Sequence, residues 1–214
     1  MTKSKALSAS ARTNWANAHF DSNGRKIKMY DNFLLRCPIP GVSHAGIPTL
    51  AMSRADDQLS IKEIEEITAG ITQEHFFFSF ELRQVAKWLI EHKYDGNKVP
   101  TGSTEFICMS ITPARILKRC YGLFPNIDAK DLRAPERNSY KNLLCLDALY
   151  RHIRNSLAHG LYKEVQRKAP DGKRRPYLYF QDNNSSHQIT ARMYLSYERL
   201  DSWASKIADL ETER

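Results

Sequence analysis

The chain has 214 residues, and its 32 Lys+Arg against 24 Asp+Glu give a net charge of +8. That length suits one domain able to bury its own core. Hydrophobic residues at 42% with 26% charged exclude a disordered chain, and no stretch approaches the run of about 20 apolar residues that a membrane helix needs. The charge is unevenly placed. Residues 1–28 and 161–175 are basic, whereas 56–66 holds Asp56, Asp57, Glu63, Glu65 and Glu66 against Lys62 alone. A basic excess of this kind points to an acidic partner, nucleic acid first. Lys3 and Lys5 are followed by no apolar run, so no signal peptide is expected and the cytoplasm is the expected location. Cys37, Cys108, Cys120 and Cys145 are scattered without a C-x-x-C pair, which predicts reduced thiols rather than a zinc site. No metal or cofactor is implied.

In chain order, residues 1–58 form a loop-rich N-terminal segment, with Pro38, Pro40, Gly41, Gly46 and Pro48 in its middle. A helical core is expected over 59–160. Ser60 to Glu63 fits a capping box, and Thr72 can cap a helix from about Gln73 to His92 with Phe78, Leu82, Val85 and Leu89 inward. Thr112-Pro113 starts another helix, to about Tyr121. Ser139 can cap a helix from Tyr140 to Ala158, stopped by Gly160. Leu161 to Lys168 and Arg175 to Gln181, flanking Asp171-Gly172, read as a hairpin within 161–190, with a second turn from Asp182 to Ser186. A closing helix occupies 191–214, from about Tyr197, with Leu200, Trp203, Ala204, Ile207 and Leu210 as its stripe. The whole reads as one domain of all-α class, a helical bundle with a small β-hairpin after the main helix.

That main helix concentrates the chemistry. At about 100° per residue, Asn142, Leu143, Leu146, Leu149, Tyr150, Ile153 and Leu157 share a core sector, while Arg151, Arg154, Asn155 and His159 fall opposite. Leu144 and Ala148 continue that outer face toward the N-terminus, and Asp147 can reach Arg151 or Arg154. Arg forks onto a phosphate, His changes charge near neutrality, and RNA supplies its own 2′-hydroxyl nucleophile. A base and a cation on the phosphate then suffice for cleavage without metal. Cations at a helix C-terminus also have a purely structural use against the macrodipole. The other histidines, His19, His44, His75, His92, His152 and His187, read as structural.

Arg154-Asn155-Ser156-Leu157-Ala158-His159-Gly160 resembles the signature of HEPN domains: Arg, often a polar residue next, then His after a gap of four to six. The resemblance spans six residues from Arg to His. It implies a helical bundle that dimerises, acting as a metal-independent endoribonuclease, often a toxin or antiphage effector with an antitoxin protein as partner. By position, Arg154 polarises the scissile phosphate, His159 is base or acid, and Asn155 supports both. Arg151 joins the same cleft, and Leu144 and Ala148 become dimer contacts. Some members carry a modified tyrosine two residues after the His; here Leu161 stands there and Tyr162 follows, which argues against that regulation. Lys163, Arg167, Lys173 and Arg175, interleaved with aromatics, suit single-stranded RNA. A non-catalytic module that binds nucleotide or RNA, or only dimerises, is the alternative.

Overall fold

The structure is a computed structural model; it describes residues 70–111, 134–169 and 171–203, together with Phe33. Among the described residues five strands form one mixed sheet: β1 (Phe76–Ser79), β2 (Phe106–Ser110), β3 (Tyr162–Lys168), β4 (Arg174–Asn183) and β5 (Ile189–Ser196). Helix α1 (Leu82–Glu91) lies between β1 and β2 in the chain, and helix α2 (Ala134–Ala158) precedes β3. The strand order is β1-β2-β5-β4-β3, with β1 parallel to β2 and every other pair antiparallel. A helical segment at residues 197–203 follows β5. The all-α expectation is therefore overturned: the protein is mixed α/β. Residues 191–196, expected in the closing helix, form most of β5.

Side-chain alternation explains the architecture. Phe106, Cys108, Tyr177, Tyr179 and Tyr194 face α1 and pack with Val85, Trp88 and Leu89. Ile107, Met109, Leu178, Phe180, Ala191, Met193 and Leu195 face the other way, onto Leu146, Leu149, Tyr150, Ile153 and Leu157 of α2. A strand with helices on both faces is apolar on both sides and shows little of the in–out pattern that marks a half-buried strand. Phe76 to Phe78 illustrate it. Phe77 stacks on Trp88, with ring centroids 5.8 Å apart, while Phe76 and Phe78 pack on the α2 side. The expected helix from Gln73 to His92 is instead a 3-10 turn at Gln73–His75, then β1, then α1. Consecutive aromatics favour a pleated strand that can divide them between two cores. Thr72 makes no side-chain cap bond.

Helix α2 begins before Ser139, at Ala134, and its stop is the expected one. Gly160 adopts φ 63°; its N–H donates to Leu157 O at 3.1 Å, and Leu161 N–H donates to Ser156 O at 2.7 Å. This pair of bonds is the Schellman arrangement, which needs a left-handed residue that glycine supplies without strain. The β3–β4 hairpin is present, with Gly172 at φ 81° and Ala169 N–H donating to Lys173 O at 2.8 Å. The second turn lies after Asn183, where Asn184 Oδ1 accepts from Ser186 and Gln188 N–H.

Leu200 and Trp203 are buried, and Cys108 and Cys145 are buried free thiols, as expected. Burial pushes the Cys145 thiol up to about 12, and that of Cys108 up as well. The helices read at Ser60 and Thr112-Pro113, the loop-rich stretch 1–58 apart from Phe33, Cys37 and Cys120, Ala204, Ile207 and Leu210, and the side chains of Asn142 and Leu143 lie outside the described residues. Among the described residues no helix is long and apolar enough to cross a membrane.

Candidate functional site

The C-terminal half of α2 supplies the candidate residues. The expected core sector is correct for Leu146, Leu149, Tyr150, Ile153 and Leu157, all buried. The expected outer face is wrong at its N-terminal end. Leu144 and Ala148 are 2% and 4% exposed and belong to the main core. Phe33, wholly buried, stacks on Tyr150 at 5.9 Å, so apolar neighbours reach α2 from beyond the sheet. From Leu144 to Tyr150 every residue of α2 is buried. Leu144 and Ala148 are core residues and offer no dimer surface.

Asp147 also lies inside, with its Oδ2 accepting from Arg151 Nη2 one turn on. Its Oδ1 is buried without a hydrogen-bond partner among the described residues. Burial raises the Asp147 carboxyl above its usual range, and the Arg151 guanidinium opposes that rise. Arg151 is thus held by an ion pair rather than directed at a phosphate.

Further along, the structure joins residues that sequence reading kept apart. Arg154, half-buried, donates from Nη1 to Asn155 Oδ1 at 3.0 Å. Asn155 donates from Nδ2 to Asp182 Oδ2 at 3.2 Å. The same carboxylate oxygen lies 2.6 Å from His152 Nδ1, and His152 Nε2 lies 2.8 Å from the carbonyl of Ser110. A carbonyl only accepts, so the contact with Ser110 takes its proton from Nε2. Asp182 Oδ1 accepts from the N–H of Asn183 at 2.9 Å. His152 and Asp182 are 6% and 4% exposed. This buried chain of polar groups links β2, α2 and β4.

Asp182 is the residue that sequence reasoning missed; His152, read as structural, is buried with both ring nitrogens in contact with partners. A signal existed for Asp182. Strand alternation puts it on the face of Leu178 and Phe180, and an inward carboxylate requires a buried partner. Reading the strand as ending at Gln181, with a turn from Asp182, hides that signal.

His159 follows the last helical turn. It is exposed, its backbone N–H donates to Asn155 O at 2.9 Å, and its ring makes no hydrogen bond among the described residues. Asn155 is therefore engaged with Arg154 and Asp182 rather than orienting this imidazole. Tyr162 is 2% exposed and belongs to the core, so it is no modification site.

The basic residues divide into two groups. Arg175 is clamped by Glu198 and Asp171 at 2.5 Å each, and Arg167 donates to Pro100 O at 3.1 Å. Lys163 and Lys173 are exposed, without an ion pair among the described residues. Register places Arg167 opposite Arg175 and Lys168 opposite Arg174. Like charges directly across a ladder are unfavourable. Asp171 and Glu198 relieve the first pair; no anion among the described residues relieves the second.

No protein-family model matches the chain, and no curated protein or solved structure matches it either.

Proposed function

We propose that the protein engages RNA along the β3–β4 hairpin and the end of α2, and cleaves it without a metal. Arg154 holds the scissile phosphate, and His159 moves the proton of the 2′-hydroxyl or of the leaving oxygen. The observation that carries the RNA reading is the cross-strand pair Lys168 and Arg174, exposed and without an anion among the described residues. A fold retains such a repulsive pair at little cost when an anionic ligand neutralises it. The cleavage step is supported by an exposed imidazole five residues beyond an arginine whose neighbour is braced from within the fold. The setting, a toxin or antiphage effector paired with an antitoxin, comes from the HEPN resemblance of residues 154–159 alone. A homodimer of the kind that resemblance implies requires a surface other than Leu144 and Ala148.

The test is cleavage of labelled RNA in EDTA by wild type and His159→Ala, purified in parallel. The expected result is product with 2′,3′-cyclic phosphate ends from wild type, reduced ~10²–10⁴-fold in the variant. Equal rates in the two proteins would overturn the role of His159. A second reading, binding without turnover, is favoured by one observation: Asn155 holds Arg154 and Asp182, leaving the His159 ring without an orienting partner among the described residues. RNA binding by a wild type that does not cleave would establish it.

A further inference from the structure

We infer that Asp182 is a positioning residue that aims Arg154 through Asn155; the inference rests on the RNA reading above. An asparagine amide has two ends of opposite character, and Asp182 holds it from the β4 side in the orientation that a guanidinium requires. The carboxylate only accepts, so it draws the NH₂ of Asn155 toward β4 and leaves Oδ1 facing Arg154. An acceptor beside a guanidinium fixes its direction; an NH₂ there would repel it.

Asp182 is in turn immobile. It sits at 4% exposure, takes one bond from Asn183 N–H, and faces an imidazole whose far nitrogen is tied to Ser110 O. Ser156 Oγ donates to the His152 carbonyl at 2.6 Å, adding a bond within α2 at this point. The orientation of Arg154 is thereby referred to β2 and β4 and not to its own flexible stem. Preorganised donors of this kind stabilise charge on a transition state without rearranging at the moment of reaction.

The experiment is a double-mutant cycle on single-turnover cleavage in EDTA, using full-length wild type, Asp182→Asn, Arg154→Ala and the double variant, with thermal melts as the check on folding. Misplacing a catalytic cation by about 1 Å costs on the order of 10²-fold. Asp182→Asn is expected to lower the rate at saturating RNA by about that factor, with KM moving less than about threefold, and to cost nothing further in the Arg154→Ala background. Equal losses in both backgrounds, or no loss in either, would overturn the proposal. Should Asp182→Asn not fold, Asn155→Ala breaks the relay while leaving the His152–Asp182 pair; the same loss supports the inference and wild-type cleavage sinks it. Failure of the RNA reading looks different, because wild type and His159→Ala would then be equally inactive. The relay is in that case read by low-temperature NMR from hydrogen exchange at Arg154 Nη1, the atom bonded to Asn155. Exchange is expected to be slow in wild type and fast in Asn155→Ala, and equal exchange in the two would overturn it.

Discussion

Each face of the sheet buries charge, and two networks, one from each face, handle it in opposite ways. On the α1 face Arg192 is wholly buried. Its Nε and Nη2 donate to Gln181 Oε1 at 3.1 and 2.8 Å, and Nη1 donates to the carbonyls of Tyr94 and Gly96 at 2.6 and 2.8 Å. The Tyr179 ring lies 5.9 Å from the guanidinium carbon. Burial pulls the Arg192 group below its ordinary value, yet an arginine stays charged. On the α2 face two carboxyl groups are buried, Asp147 against Arg151 and Asp182; the hydrogen-bond chain of Asp182 leads outward, through Asn155, to the half-buried Arg154. The first network ends on fixed acceptors and pins the loop at 94–96 to β5. The second reaches a half-buried cation. A buried charge closed on itself specifies structure, whereas one relayed to a half-buried cation can also serve a ligand.

The sharpest way to test that contrast is Arg192→Ala. It leaves Gln181 Oε1 and two carbonyls unsatisfied and opens a cavity, which together cost on the order of 4 kcal/mol. Arg154→Ala, at the outer side of the other network, is expected to cost about 1 kcal/mol. Urea unfolding of both variants measures the difference. Equal losses would mean that the second network is as closed as the first.

A smaller effect distinguishes cations held for structure from those held for a ligand. Lys168→Ala with Arg174→Ala removes the unrelieved cross-strand repulsion, so the melting temperature should rise slightly. RNA binding should weaken at the same time, and the slope of log K against log salt should fall by ~1.4, about 0.7 for each phosphate no longer neutralised on a single strand. A stability gain with an unchanged slope would assign the pair no role in RNA binding.

What the sequence revealed follows a different division. Elements marked by a local turn or cap were legible: the β3–β4 hairpin through Asp171-Gly172, the end of α2 through Gly160, and the helical start at Tyr197. Enclosed strands without such a mark were not. β2 and β5 lie between two helices, and the Met109 and Met193 side faces one core while the Cys108 and Arg192 side faces the other. Neither strand shows a dry and a wet face to read. α2 misled for a related reason. Its polar C-terminal half suggested an exposed face along its length, but Phe33 belongs to the core that encloses Leu144 and Ala148. In the candidate site, Arg154, Asn155 and His159 were legible as a local spacing. Asp182 is 27 residues from Asn155 in the chain, and only the pairing of β4 beneath α2 brings them together.

The smallest expected effect concerns a buried carboxylate that lacks a full set of partners. Asp147 has Arg151 on one oxygen and, among the described residues, no hydrogen bond on the other. Burial outweighs the guanidinium, so its carboxyl is raised in the fold above the ordinary 3.8. The folded state then binds a proton more tightly than the unfolded chain, and the contribution to stability is greatest below that value and is lost as pH rises through the folded pKa. Asp147→Asn removes this dependence and keeps an acceptor for Arg151. Urea midpoints of both proteins between about pH 4 and pH 7 should show wild type losing ground to the variant as pH rises. If wild type gains ground instead, Arg151 outweighs burial, and the Asp147–Arg151 pair belongs with the closed networks rather than standing as a tolerated cost of enclosing α2.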